Sequence, residues 1–245
     1  MSSSAAVDVD GLVKVYPRGV KGVDGLSFSI SRGEIYGLVG PNGSGKTTTL
    51  RIIATLLKPT SGSIRVFGID VVSKPFEVRE LLSYLPEEAG AYRDLSGLEF
   101  IKFMLGMRLR GRELSEAVEE AVEIADLGSD IKRPVRSYSK GMKRLLALST
   151  VLASRSKLVI LDEPTSGLDV ERSIRIRDLI AEFARRSSVT VLLSSHNMLE
   201  VEYLCDRVGI LYKGKMVAEG PPEELKAKYL SRNLEEVFVK TVRRR

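Results

Sequence analysis

The chain has 245 residues, 43% of them hydrophobic and 29% charged, with 38 Lys and Arg against 32 Asp and Glu for a net charge of +6. Those values describe a soluble globular protein with room for one large domain, or one domain and a subdomain. A lone Cys205 excludes a disulfide framework and a multi-cysteine metal site, no apolar run nears the ~18 residues that cross a bilayer, and Met1-Ser-Ser-Ser-Ala-Ala lacks a signal segment.

Residues 7–16 alternate apolar and polar side chains as a half-buried strand does, and residues 26–30 alternate again after a turn placed around Lys21-Gly22. Tyr16 ends the first strand beside Pro17, where it serves either as edge packing or as a flat surface for an adenine ring. The apolar run 35–39 then leads into Gly40-Pro-Asn-Gly-Ser-Gly-Lys-Thr47 and a helix opening at Lys46. Strand, glycine-rich loop, Lys-Thr and helix form the Walker A arrangement that binds nucleoside triphosphates. Its glycines let successive N–H groups point at phosphate oxygens, and the helix start adds the positive end of its dipole. Lys46 supplies a movable charge for the β- and γ-phosphates, and the Thr47 hydroxyl can ligate Mg2+.

Residues 59–68 read as a turn leading into a strand, and residues 82–85 as another strand closed by Pro86. Glu87-Glu88 and a loop through Asp94 follow. Asp94-Leu-Ser-Gly97 matches an Asp-x-x-Gly pattern, but the chain has no Asn-Lys-x-Asp to read guanine, so a GTPase is not expected. Residues 98–110 and 112–127 are helical by periodicity. In the second stretch Leu114, Ala117, Val118, Ala121, Val122 and Ala125 share an apolar face, opposite a solvated Glu116, Glu119, Glu120 and Glu123. Pro134, Ser137 and Ser139 supply turn and N-cap chemistry before a helix over 141–154.

Leu158-Val-Ile-Leu-Asp162-Glu163 reads as a strand buried on both faces, as in a parallel sheet, with Asp162 at the edge where such sheets meet ligands. With Walker A upstream, Asp162 is the expected Mg2+ carboxylate and Glu163 the general base that polarises an attacking water. A helix over 170–186 leads to a second buried strand, 189–193, which ends in Ser194-Ser195-His196. The protein's only histidine, His196, is either structural or within reach of the γ-phosphate from that same edge. A helix to the core thiol Cys205, a hairpin turning at Lys213-Gly214 and a C-terminal helical segment complete a mainly parallel α/β pattern. The charge surplus includes Arg243-Arg244-Arg245, read as a solvated tail, and a cluster over 132–144. No basic stripe with interleaved aromatics points to nucleic acid.

Together these residues resemble the nucleotide-binding subunits of ABC transporters over nearly the whole chain. Tyr16 matches the adenine-stacking A-loop, residues 40–47 the Walker A, and Tyr138-Ser139-Lys140-Gly141-Met142 the signature usually written Leu-Ser-Gly-Gly-Gln. Residues 158–163 match the Walker B, Ser166-Gly-Leu-Asp169 the D-loop, and His196 the switch histidine. The resemblance implies an α/β fold with a RecA-like P-loop NTPase core, an antiparallel β subdomain and a helical subdomain. In that scheme residues 1–87 and 154–230 form the core and β subdomain, 88–153 the helical subdomain, and 231–245 a C-terminal segment.

The resemblance further implies ATP and Mg2+ as cofactors. Tyr16, Gly40, Asn42, Gly43, Ser44, Gly45, Lys46, Thr47 and Thr48 would hold the nucleotide, Thr47, Glu87 and Asp162 the metal, with Glu163, His196 and Lys46 catalytic. It implies a head-to-tail dimer in which Ser139 and Gly141 of one copy meet the ATP held by the other, with Asp169 of the D-loop also binding nucleotide. A separate transmembrane permease would be the second partner, placing the chain at the cytoplasmic face of the membrane with contact only through that permease. Glu87 stands where the family usually has Gln, adding a negative charge that Mg2+ or a proton must offset. Lys140 and Met142 replace Gly and Gln of the signature. These departures, and the ending Leu234-Glu-Glu-Val-Phe238, resemble ABC-2 type exporters, including antibiotic-resistance and sodium-extrusion ATPases. The alternative, a soluble relative acting on nucleic acid or ribosomes, usually carries two such domains or a long coiled coil; this chain has one domain and no sustained heptads.

Overall fold

Strand β1 (Ala5–Val15) turns back antiparallel into β2 (Lys21–Ser31). The turn sits four residues before the expected Lys21-Gly22, because Pro17 fixes its own φ and Gly19 takes φ +76°, closing Tyr16 N–H on Val20 O at 2.8 Å. Lys21 is already paired with Val15. These features come from a computed structural model that describes residues 5–88, 90 and 92–243. The N-terminal Met1-Ser-Ser-Ser and the last two arginines of the expected tail lie outside the described residues.

The chain continues through β3 (Ile35–Val39), α1 (Lys46–Ile53), β4 (Ser61–Val66), β5 (Ile69–Asp70), α2 (Pro75–Arg79) and β6 (Leu82–Leu85). Three helices follow, α3 (Gly97–Gly106), α4 (Gly111–Ala125) and α5 (Lys140–Leu152). Then come β7 (Leu158–Asp162), α6 (Val170–Ser187), β8 (Thr190–Ser195), α7 (Met198–Leu204), β9 (Arg207–Tyr212), β10 (Lys215–Gly220), α8 (Pro222–Lys228) and α9 (Leu234–Arg243). The strands form two sheets. One is antiparallel, ordered β2-β1-β4-β5; the other runs β10-β9-β3-β8-β7-β6, parallel except for the β9–β10 hairpin.

Strict alternation along the buried strands decides what each face of the larger sheet packs against. Val39, Leu85, Val159, Leu161, Val191 and Leu193 meet α5, α6 and α7, whereas Tyr36, Leu38, Ile160 and Leu192 meet α1 and the antiparallel sheet. Phe28 stacks on Tyr36 between the two sheets, ring centroids 5.3 Å apart. The expected α/β core with an antiparallel β unit is therefore present.

Helices α3, α4 and α5 close a separate small core around Phe100, Ile101, Leu105, Ala117, Ala121, Val135, Tyr138 and Leu146. Ser96 heads α3 in a capping box with Glu99, which accounts for the Asp94–Gly97 pattern as helix-start chemistry. The acidic face of α4 is not uniformly solvated: Glu120 bonds Arg155 and, at 2.8 Å, Arg186 of α6. Among the described residues no helix is long and apolar enough to cross a membrane. Cys205 is buried, and burial pushes its thiol pKa well up, as a core thiol requires.

Candidate nucleotide site

Parallel pairing aligns the C-terminal ends of three neighbouring strands: Val39 registers with Ser195, and Asp162 with Ser194. The residues that follow β3, β7 and β8 therefore emerge side by side at one sheet edge. After β3 comes the glycine loop. A Cβ on Gly40 would lie 2.3 Å from Leu211 O, and Gly45, at φ +107°, would put one 2.6 Å from Gly22 O. Neither backbone neighbour can yield, so only glycine fits. The loop leads into α1, an eight-residue helix beginning at Lys46, whose N-terminal end suits an anion.

Lys46 is buried and its ammonium donates to Gly40 O at 2.7 Å, 3.3 Å from Glu163 Oε1. Thr47 Oγ1 donates to Asp162 Oδ1 at 3.0 Å, as does Ser194 Oγ at 2.6 Å, while Tyr84 donates to Asp162 Oδ2 at 3.0 Å. Burial, and then the facing Asp162 carboxylate, push the Tyr84 phenol up to about 12, so it stays a donor at neutral pH.

Glu163 adopts φ +47°, a left-handed conformation that costs a non-glycine residue about 1–2 kcal/mol. The cost is offset because its N–H reaches both Ser194 O and Ser194 Oγ at 3.1 Å. The kink aims its carboxylate along the sheet edge, with Oε2 2.7 Å from His196 Nδ1.

Of these groups Lys46, Thr47 and Glu163 border a cavity of about 410 Å3, which Tyr16, Gly22, the rest of residues 42–48 and Glu87 also line; Asp162 lies buried behind Thr47. Tyr16 stands at its far end, its hydroxyl 3.0 Å from Thr48 Oγ1, with Gly22 leaving space beneath the ring. The residues fit a triphosphate and its magnesium. Ser44 Oγ is buried without a hydrogen-bond partner among the described residues, in the loop that lines the cavity. Thr47 and Asp162 offer two hard oxygen ligands, which suits an ion that shares its remaining positions with phosphate and water.

Sequence reasoning named most of this wall but placed some residues elsewhere in space. Gly40, Asp162, His196, Ser139, Gly141 and Asp169 do not line the cavity; His196 lines a neighbouring cleft with Thr165 and Ser166. Ser139 caps α5, its Oγ accepting from Met142 N at 3.2 Å, and Asp169 caps α6 by accepting from Arg172 N at 2.9 Å. Gly141 faces the Arg172 side chain, and Lys140 lies over Gly167. Glu87 is exposed at the cavity rim, 3.4 Å from Ser166 Oγ. In the basic cluster over 132–144, Arg133 pairs with Asp130 and Arg136 with Asp94 at the surface, while Arg144 is turned into the interior. Tyr84, Ser194 and Arg144 were missed as site residues. For Arg144 a signal existed, since it falls at helical spacing with Gly141 and Leu148 in the apolar stripe of α5.

The ABC transporter family profile matches residues 23–166. The daunorubicin/doxorubicin resistance ATP-binding protein DrrA of Streptomyces peucetius is 40% identical over 225 residues, covering 91% of this chain and 67% of the relative. The bacitracin transport ATP-binding protein BcrA of Bacillus licheniformis is 36% identical, covering 91% and 72%. A solved structure of an ATP-binding subunit of an ABC transporter superposes with a TM-score of 0.85 at 26% identity, covering 97% of this chain and 99% of that one. Sequence, RecA-like fold and the converging loops agree: this chain belongs to the ABC transporter family, among its ATP-binding subunits.

Proposed function

We propose that two copies of this chain close head to tail around Mg-ATP, hydrolyse it, and drive export through a separate membrane permease. The observation that carries this reading is that Ser139 stands apart from the cavity in its own chain. Lys46, Thr47 and Glu163 border it, while the exposed Ser139, at the head of a 13-residue helix, faces none of it. A capped helix start with free N–H groups is a second anion site without an anion from its own chain. A second copy supplies one.

In this reading Tyr16 stacks on adenine, and the loop N–H groups and Lys46 take the phosphates. Thr47 and Asp162 hold Mg2+, which when bound offsets phosphate charge and that of Glu87. Glu163 accepts the proton of the attacking water and His196 steadies its carboxylate. Ser139, Gly141 and Asp169 reach across from the partner, Ser139 and Gly141 complementing charge on the γ-phosphate. Residues 88–153 move as the helical subdomain, and Glu87 passes that movement to the permease at the cytoplasmic face. Export as the direction is supported by the relatives, one named for drug resistance and the other for bacitracin transport.

Size-exclusion chromatography with Mg-ATP, together with phosphate release, tests the proposal. A nucleotide-dependent dimer is expected, and Ser139→Ala should lower turnover at least about tenfold. A strictly monomeric protein whose turnover ignores Ser139→Ala would overturn it.

A further inference from the structure

The guanidinium of Arg144 makes a set of contacts that the proposed reaction does not itself require. It is 7% exposed and faces carbonyl oxygens on every donor. Nε donates to Pro164 O at 2.8 Å; one terminal nitrogen donates to Pro86 O at 2.6 Å and Glu87 O at 3.1 Å. The other donates to Asp162 O at 2.9 Å and Glu163 O at 2.8 Å. A guanidinium has five N–H bonds, and here each has its own carbonyl.

Those carbonyls belong to two loops. Pro86 and Glu87 follow β6; Asp162, Glu163 and Pro164 end β7, including the residue held at φ +47°. The arginine itself rides on α5, the helix that Ser139 heads. One side chain thus joins the helix carrying Ser139 to Glu87 and to the backbone under Glu163. Burial pulls its pKa down to about 10, which leaves the charge and all five donors in place at neutral pH. A lysine, with three donors and no planar fork, cannot bridge both loops.

We propose that Arg144 is a positioning residue: it fixes Glu163 and Glu87 relative to α5, so that docking of the partner's phosphate at Ser139 resets the hydrolytic geometry in the same chain. This rests on the function proposed above. The test compares parent, Arg144→Lys, Ser139→Ala and the double variant by steady-state ATP hydrolysis, binding of a fluorescent ATP analogue and thermal melting. Misplacement of a reacting group by about 1 Å can cost about a hundredfold in rate. Arg144→Lys should therefore lose at least about tenfold in kcat while KM and analogue affinity stay within about twofold. The double variant should be little slower than the slower single one, because both changes break the same link.

A folded Arg144→Lys with parental kcat, or fully multiplicative losses in the double variant, would overturn the proposal. Equal loss of folding, analogue binding and turnover would also overturn it, by assigning Arg144 to fold maintenance alone. A parent that hydrolyses no ATP would instead remove the proposed function on which the inference rests.

Discussion

Replacing Glu163 by Gln changes charge at nearly constant volume, and the structure gives opposite signs for its effects on rate and affinity. Glu163 Oε1 lies 3.3 Å from Lys46 Nζ with both side chains 6% exposed, so the lysine must leave this carboxylate to reach a phosphate. A hydrogen bond to a charged group is worth about 1.5–3 kcal/mol net. Lys46 keeps its 2.7 Å bond to Gly40 O in either case, which argues for the lower end. Losing that competitor should favour ATP by about 1.4 kcal/mol, a roughly tenfold tighter Kd. An amide cannot accept the water's proton, so turnover should fall about 10²–10⁴-fold. Fluorescent-analogue titration and phosphate release on the same preparation measure both. Turnover within twofold of the parent would remove Glu163 as the base, and weaker binding by a folded variant would refute the competition between carboxylate and phosphate.

Tyr84→Phe deletes the donor to Asp162 Oδ2 and should cost about 1–2 kcal/mol, lowering Tm by roughly 2–8 °C in a chain of this size. Because the folded phenol titrates near 12 rather than near 10, the folded state holds the proton more tightly; its contribution is complete below about pH 10 and lost as pH rises through 12. Denaturation curves across that range should therefore fall more steeply for the parent than for Tyr84→Phe, and parallel curves would contradict the assignment. Two glycines should respond differently to alanine. At Gly40 the new methyl meets the fixed Leu211 carbonyl, so nucleotide-analogue binding and Tm should both drop; at Gly141 it meets the Arg172 side chain, which can swing away. Gly141→Ala should thus melt within about 2 °C of the parent yet lose turnover, and equal melting losses at both sites would refute the distinction.

Where a property is local, the amino-acid order carried it. The apolar run 158–161, the capping serine at 139 and the glycines at 40, 43 and 45 each follow from backbone sterics or side-chain periodicity, and each lies where its chemistry predicts. The turn after Tyr16 was misplaced because two glycine-containing stretches compete there, and Pro17 decides between them. What only the tertiary structure decided is which distant groups meet. The Val39–Ser195 and Asp162–Ser194 registers bring three strand ends together, and Ser194 then supports both Asp162 and the strained Glu163. The spacing of Arg144 with Gly141 and Leu148 marked it as facing inward, but not what it meets there, because a cation in a helix sequence is expected to reach water. Burial became favourable only once two loops from different strands presented five carbonyls to it, and that geometry exists nowhere along the chain until the sheet has formed.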